Sequence, residues 1–290
     1  MKRISVVITN WNGQKLLERN LETVIKNSPQ ACEVVVADDA STDSSPSFVS
    51  EMQKKHPQLK LFSHTRNLGF ALNSNLAVRK AVGDYIVLLN NDIFPRPFYL
   101  SPSLSHFYQP QLLGVGFAEF GLENYPKIFW SDGYIQYQPC HSSKTHISGW
   151  LSGGSSIITK SIFLKLGGFD QIYAPFYSED LDLGYRAWKS AYRCLWEPKS
   201  LVDHRHASTI SLFPKRYLDQ IKERNRLLTV WRNITNPNML RQNRNTLILR
   251  CLYGPNYLKI ILAAKRRLAS FPPPRVYPRF SDQQIFNFFN

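Results

Sequence analysis

Residues Glu33–Asp43 read EVVVADDASTD, and this stretch decides the fold class. A β-branched run without polar alternation is typical of a strand buried on both faces, as in a parallel sheet covered by helices. Asp38 and Asp39 come at the C-terminal end of this strand, which is where open α/β sheets bind ligands. They would suit a nucleoside pocket, in which Asp38 could accept hydrogen bonds from a base or a ribose. Residues 41–43 would equally suit the N-cap of a helix.

The same pattern recurs through the first half of the chain. Apolar runs alternate with helical spacing, which predicts a doubly wound α/β core in which a mostly parallel sheet is flanked by helices. Leu72, Leu76 and Val82 are expected to form one buried helix face. From Ser101 to Ser148 no period is visible, and loops or edge strands are expected there. The predicted strands are Ile4–Thr9, Glu33–Ala37, Leu59–Ser63 and Tyr85–Leu89.

The composition excludes several classes of protein. With 290 residues and 43% hydrophobic content the chain can bury a large core, so it is not a disordered protein. Its apolar stretches are far shorter than the roughly 20 residues that span a bilayer. No signal peptide is expected at the N-terminus, which predicts a cytoplasmic location. The four cysteines form no CxxC pair, so neither a zinc knuckle nor a disulfide framework is indicated.

The positive charge is concentrated near the C-terminus. Residues 205–290 carry 16 Lys and Arg against 3 Asp and Glu, a balance of +13 out of a total of +15. Helical spacing there predicts two basic amphipathic segments, the second broken at Gly254. We expect one domain at 1–208 and a basic helical extension at 209–290. Such asymmetry indicates an anionic partner, either a membrane surface or a nucleic acid.

Three further clusters carry candidate chemistry. Asp92 ends the strand-like stretch YIVLLNND, where a carboxylate beside a diphosphate would hold Mg²⁺ or Mn²⁺, although such a cluster also suits a turn. Asp180 lies at a predicted helix start and would act as a general base; alternatively, these carboxylates only complement the helix dipole, with Asp182 pairing with Arg186. His204 and His206 follow a strand-like stretch and are candidates for a metal or phosphate contact.

In this order and spacing, the stretches resemble family 2 glycosyltransferases of the GT-A fold, in particular the bacterial rhamnosyltransferase-like members that build surface polysaccharides. The resemblance covers about residues 4–235 and rests on these sequences: SVVITNWN (5–12), VADDASTD (36–43), RNLGFALN (66–73), LLNND (88–92), GGFD (167–170), EDLDL (179–183) with His204, and ERNRL (223–227).

The resemblance implies a site and a reaction. Thr9, Trp11 and Asp38 would line the base and ribose pocket, with Asp39, Arg66 and Asn91 close by. Asp92 would be the last residue of the family's metal-binding Asp-x-Asp motif, with His204 as a candidate further ligand, and Asp180 would be the catalytic base. The implied reaction is inverting transfer of a sugar from a nucleoside-diphosphate donor to a glycan or lipid-linked acceptor, assisted by Mg²⁺ or Mn²⁺.

One position departs from the family pattern and keeps a rival hypothesis open. Asn90 replaces the first acidic residue of the metal motif, so this loop offers one carboxylate fewer. A catalytically inactive scaffold is therefore one alternative, and a basic nucleic-acid-binding protein is another. No recognised nucleic-acid module occurs, so no nucleic acid is expected as a partner and a peripheral position on the inner face of the plasma membrane is favoured. No GxGxxG motif or P-loop is present, which argues against dinucleotide oxidoreductases and P-loop enzymes.

Overall fold

The computed structural model describes residues 2–122, 124–205, 213–254, 256–274, 276 and 278–290. The strands are β1 (Ile4–Asn10), β2 (Ala31–Asp38), β3 (Leu59–Ser63), β4 (Tyr85–Asn90), β5 (Ile93–Pro95), β6 (Leu112–Glu119), β7 (Asn124–Ser131), β8 (Tyr134–His141), β9 (His146–Ile147), β10 (Ser155–Thr159) and β11 (Arg193–His204). The main sheet has the strand order β3-β2-β1-β4-β10-β6-β11-β5, with β9 paired to β11, and β7 and β8 form a separate hairpin.

The helices flank this sheet. They are α1 (Gln14–Asn27), α2 (Ser45–Gln53), α3 (Phe70–Lys80), α4 (Leu100–Leu104), α5 (Lys160–Lys165), α6 (Glu179–Lys189), α7 (Lys215–Asn233), α8 (Pro237–Tyr253), α9 (Tyr257–Ser270) and α10 (Asp282–Asn287), with a 3-10 turn at Gln171–Tyr173.

The four N-terminal strands form a continuous parallel group, and they bear out the predicted strands. β3, β2, β1 and β4 pair in parallel, whereas β10 runs antiparallel to both β4 and β6. Val34 and Val36 pack on one face of the sheet and Val35 on the other, in two separate apolar clusters. Burial on both faces explains why β2 lacks the polar alternation of a half-exposed strand.

The buried face of α3 was predicted wrongly. Helix α3 ends at Lys80, and its buried side chains include Ala71, Ser74 and Ala77, whereas Val82 is exposed beyond the helix end. Small residues on this face allow the helix to pack close to the sheet.

The stretch expected to hold edge strands or loops contains the β7–β8 hairpin, which is separate from the main sheet. Its register runs without a break from Asn124 opposite His141 to Ser131 opposite Tyr134.

Within the described residues, the C-terminal region forms three long helices and a short fourth. Helix α7 corresponds to the first expected segment, and the expected break at Gly254 separates α8 from α9. Leu227, Ala264 and Phe286, from α7, α9 and α10, belong to the same apolar cluster as the sheet residue Val7. Helix α8 departs from the expected amphipathic pattern, since its buried side chains are only Met239 and Asn243. The predicted boundary between residues 208 and 209 lies outside the described residues, so the division into two domains stays a prediction.

Among the residues that the structure describes, no helix is both long enough and apolar enough to cross a membrane.

Candidate functional site

Three parallel strands end together and bring the first sequence motifs into contact. In β1, Asn10 pairs with Asp38 of β2, and Thr9 pairs with Asn90 of β4. The Thr9 hydroxyl donates a hydrogen bond to Asn90 Oδ1 at 3.2 Å. The residues following these strands therefore form one continuous edge, where open α/β sheets bind ligands.

The two acidic residues at the C-terminal end of β2, Asp38 and Asp39, are buried and organise the loops around them. Asp38 accepts hydrogen bonds from the side chains of Asn10 (2.8 Å) and Ser41 (2.6 Å) and from the Ser41 amide. Asp39 accepts hydrogen bonds from the backbone amides of Leu68 (2.7 Å) and Gly69 (2.8 Å). These bonds tie the loop after β3 to the end of β2, so both carboxylates shape the walls of the candidate pocket.

The remaining predicted nucleotide contacts lie along the same edge. Asn91 donates a hydrogen bond through Nδ2 to Asn10 Oδ1 at 2.7 Å. Gly13 is required beside this bond, since a Cβ atom there would collide with the Asn91 amide. Trp11 is exposed at the end of β1, and Arg66 is exposed in the loop that Asp39 holds. The structure thus links Asn91 to Asp38 through Asn10, whereas Thr9 pairs separately with Asn90. Trp11 and Arg66 remain at the surface.

Asp92 and His204 meet although 112 positions separate them in sequence. His204 Nε2 lies 3.3 Å from Asp92 Oδ2, and His204 Nδ1 lies 3.0 Å from Glu119 Oε1. Burial by itself lowers the pKa of His204, but its hydrogen bonds to Asp92 and Glu119 raise the pKa to about 9. Glu119 was not predicted from the sequence, because nothing local marks the last residue of β6 as a partner of His204.

The contacts of this pair fit a divalent cation. Asp92 Oδ1 is buried and has no hydrogen-bond partner among the residues that the structure describes, so it offers an unused oxygen ligand. Glu119 beside Nδ1 would fix the imidazole, as outer carboxylates do for metal-bound histidines. Nε2 would then serve as the second ligand once the cation has displaced its proton. Within the described part of the chain, no three His, Cys, Asp or Glu side chains form a complete metal-binding group. Phosphate oxygens and water would therefore have to complete the shell.

Asn90 and His206 each lie two positions along the sequence from this pair. Asn90, which replaces the first acidic residue of the metal motif, is held by neighbouring strands. Its backbone N–H donates to the Gly154 carbonyl at 2.9 Å, and its side-chain oxygen accepts a hydrogen bond from the Thr9 hydroxyl. His206, the other histidine considered as a ligand, lies outside the described residues. Asp92 and His204 are therefore the pair of candidate ligands that the described part of the chain brings together.

Asp180 lies in the first turn of α6, next to Glu179, after an unusual stretch of backbone. Tyr177 and Ser178 have φ angles of 70° and 78°, which side chains other than glycine rarely adopt in succession. Burial raises the pKa of the Asp180 carboxyl and of the Glu179 carboxyl, whose charges also repel each other. A carboxyl with a raised pKa at a helix start is suited to accept a proton near neutral pH.

The loop before Asp180 is held by α7. Asn225 is fully buried, and its side-chain amide donates hydrogen bonds to the carbonyls of Tyr173, Phe176 and Tyr177 at 2.8–2.9 Å. Arg224 donates to the Ala174 carbonyl at 2.7 Å. The sequence ERNRL (223–227) carried no predicted role. In the structure two of its residues, Arg224 and Asn225, fix the backbone that leads to Asp180.

The predicted pairing of Asp182 with Arg186 is also confirmed. Arg186 Nη2 lies 2.7 Å from Asp182 Oδ2, and both side chains are buried. Asp182 further accepts hydrogen bonds from the Tyr173 hydroxyl and the Asn233 amide. Asp182 therefore has a structural role inside α6, and it differs in this respect from Asp180, which lies two residues before it.

A cavity of about 210 Å³ lies between β6, the β7–β8 hairpin and the loop before β10. Glu119, the partner of His204, forms part of its wall together with Trp150 and Tyr137, whose rings meet edge to face at 5.1 Å. Trp150 lines the cavity, whereas Tyr134 is completely buried and its hydroxyl lies 2.9 Å from that of Tyr257, so Tyr134 packs in the core.

Comparison with known proteins links this site to an enzyme family. Residues 5–164, more than half of the chain, match the family model described as glycosyl transferase family 2. An N-acetylglucosaminyl-diphospho-decaprenol L-rhamnosyltransferase from Mycobacterium tuberculosis is 25% identical over 251 aligned residues, which cover 74% of this chain and 80% of that protein.

Solved structures share the fold. GalNAc-T7, crystallised with UDP, GalNAc and Mn²⁺, has a TM-score of 0.63 at 16% identity; the match covers 95% of this chain, but this chain spans only 59% of that one. TarS from S. aureus in complex with UDP-GlcNAc has a TM-score of 0.62 at 15% identity and covers 93% of this chain and 82% of its own. The mixed sheet flanked by helices is thus the GT-A architecture, as predicted.

Proposed function

This chain belongs to glycosyl transferase family 2, and on that premise we propose that it transfers a hexose, such as rhamnose, with inversion. The sugar comes from a nucleoside-diphosphate donor and is moved to a hydroxyl of a glycan or lipid-linked acceptor in surface polysaccharide synthesis. The decaprenol-linked substrate in the name of the mycobacterial relative supports a lipid-linked acceptor. We place the reaction at the inner face of the plasma membrane.

The observation that carries the proposal is the meeting of Asp92 with His204 at the edge where the nucleotide-binding motifs converge. We assign Thr9, Trp11, Asp38, Asp39, Arg66 and Asn91 to the donor pocket. Asp92 Oδ1 and His204 Nε2 would hold Mg²⁺ or Mn²⁺. When bound, the cation would neutralise the diphosphate as its negative charge increases during departure of the leaving group.

Asp180 is the proposed base. Its carboxylate would take the proton of the acceptor hydroxyl while the hydroxyl oxygen forms a bond to the anomeric carbon. The bond between that carbon and the diphosphate oxygen breaks on the opposite face, which inverts the configuration. Arg224 and Asn225 support this role because they fix the loop that ends at Asp180. The cavity beside Glu119, with Trp150 and Tyr137 in its wall, is proposed to receive the acceptor.

The experiment is a thermal-shift screen of the protein against UDP-, dTDP- and GDP-sugars with Mn²⁺, followed by donor-hydrolysis assays. We expect one nucleotide class to stabilise the protein and Asp180→Ala to lower turnover by at least about 100-fold. Glu51→Ala, which removes an exposed carboxylate, is the matched control. Equal turnover by Asp180→Ala and the wild type would remove Asp180 from the role of base, and no turnover by either would favour the inactive-scaffold alternative.

A further inference from the structure

Helices α8 and α9 meet in a tip that exposes large apolar side chains. Tyr253 is 89% exposed and Leu252 is 73% exposed. Isolated apolar residues are common on protein surfaces, but a contiguous patch of this kind marks an interaction surface. The α8–α9 tip comprises Ile248, Leu249, Leu252, Tyr253, Leu258 and Leu262, all of which are exposed.

Two hydrogen bonds attach the middle of α8 to the β7–β8 hairpin. Asn243 donates to the Gly133 carbonyl at 2.8 Å, and Thr246 donates to the Asp132 carbonyl at 3.0 Å. These contacts seat the helix on the turn of the β7–β8 hairpin. Beyond them, Ile248, Leu252 and Tyr253 are exposed on the last two turns, while Arg250 in the same segment is held by Glu223.

The charge around the tip has one sign. Residues 237–270 contain seven Lys and Arg and no Asp or Glu. Two of the seven point inward: Arg250 binds Glu223, and Arg267 donates to the Gln171 carbonyl. The other five are exposed and flank the apolar patch: Arg241, Arg244, Lys259, Lys265 and Arg266.

We propose that the α8–α9 tip docks onto an anionic phospholipid surface. Arg244 precedes Ile248 by about one helical turn, roughly 6 Å along the axis, and Lys265 follows Leu262 by a similar distance. With the tip facing the membrane, its apolar side chains would enter the boundary of the acyl chains. The basic residues, about one helical turn further from the tip, would remain among the phosphates. A nucleic acid would use the charges but would leave the aliphatic side chains in water, so the combination favours a lipid surface.

The position of the tip would serve the acceptor chemistry, and in this respect the inference rests on the proposed lipid-linked acceptor. Tyr257, at the base of the tip, donates a hydrogen bond to Glu223 at 3.1 Å. Glu223 directly precedes Arg224 and Asn225 on α7, the two residues that hold the loop before Asp180. The docking surface and the catalytic loop are therefore attached to the same segment of α7.

The test is co-sedimentation of the full chain with phosphatidylcholine vesicles, with and without one quarter phosphatidylglycerol. Leu252→Glu combined with Tyr253→Glu should lower partitioning onto the anionic vesicles by at least about tenfold, because charges replace the inserted apolar groups. Arg244→Gln combined with Lys265→Gln should lower it by roughly 25-fold, about fivefold per charge, and the loss should shrink in high salt. Tyr108→Glu, at an 81% exposed aromatic residue outside the tip, is the matched control and should bind like the wild type.

Three results would overturn the proposal: a wild-type protein that stays in the supernatant with anionic vesicles, a Leu252→Glu, Tyr253→Glu variant that pellets like the wild type, or binding to RNA in a gel shift without binding to vesicles. Thermal shifts with the nucleotide sugar are measured on the same proteins without lipid and should be unchanged in the variants. Loss of vesicle binding with intact donor binding separates this surface from the donor site. Failure of every protein to bind a donor would contradict the proposed function alone.

Discussion

His204 Nε2 lies 3.3 Å from Asp92 Oδ2, which joins the end of β11 to the turn between β4 and β5. This spacing suits two ligands of one cation. The buried Oδ1 of Asp92, which has no partner among the described residues, adds a further oxygen ligand. Glu119 would act behind His204 as the carboxylate that orients its ring. The family's metal motif loses one carboxylate at Asn90, and an imidazole from a distant strand is in position to replace it.

We predict that Asp92→Asn and His204→Ala weaken Mn²⁺ binding in the presence of nucleoside diphosphate by at least about tenfold, with a comparable loss for Glu119→Gln. The reason is that each substitution removes a ligand or the group that orients one. Mn²⁺ binding followed by electron paramagnetic resonance measures this without requiring turnover. Glu51→Gln is the control; unchanged Mn²⁺ affinity in both Asp92→Asn and His204→Ala would exclude this pair as the metal site.

We predict that turnover rises with pH through the titration of Asp180. Burial raises the pKa of this carboxyl to about 6, above the roughly 3.9 of an ordinary aspartate. A base must be deprotonated to act, so the rate should fall as the pH drops below 6 and level off above it. Asp180→Asn should lose at least about 100-fold in kcat and lose this limb of the profile. An unchanged acid limb in that variant would assign the titration to another group.

We predict that Asn225→Leu lowers kcat by about 10- to 100-fold while leaving donor affinity unchanged. Its side-chain amide is bound by three carbonyls of the loop before Asp180, so its loss would let that loop, and the base, shift from their positions. Kinetics should be measured well below the melting temperature, so that the folded fraction does not change. Gln220→Leu, at an exposed position of the same helix, is the control. Equal losses in kcat and in donor affinity would indicate general disruption.

We predict that Asp282→Ala destabilises the protein by about 3–5 kcal/mol, because Lys189 would remain buried without its partner, 2.9 Å away. Burial by itself raises the pKa of Asp282, but hydrogen bonds from Lys189, Tyr185 and the Thr235 amide lower it overall. The contribution of this carboxylate is therefore complete above roughly pH 4, the pKa of an unfolded aspartate, and is lost as the pH falls below that value.

Denaturant unfolding of wild type and Asp282→Ala at neutral and acidic pH checks this. The difference in the free energy of unfolding should be largest at neutral pH and should shrink in acid. A difference that stays constant over the whole range would show that the charge of Asp282 contributes nothing. Because α10 carries Asp282 and α6 carries Lys189, the same measurement reports how strongly the C-terminal helix is attached to the helix that bears Asp180.

Local order along the chain was determined by the sequence itself. The β2 run ending in Asp38 and Asp39 predicted a strand buried on both faces, because an unbroken apolar stretch of that length can be accommodated only between two layers of helices. The pairing of Asp182 with Arg186 followed from helical spacing alone. The buried face of α3 was predicted wrongly, because hydrophobicity pointed to the large residues Leu72 and Leu76. Close packing on the sheet instead buries the small residues Ala71, Ser74 and Ala77.

Tertiary structure alone decided the contacts between distant residues. No pattern in the sequence could show that Glu119 lies behind His204, that Asn225 binds the loop before Asp180, or that α8 exposes its apolar residues. The two contacts join positions 85 and 52 residues apart, and whether they form depends on the strand order of the sheet and the packing of the C-terminal helices. Periodicity reports which face of an element is apolar, whereas the partner of that face is set by the whole fold.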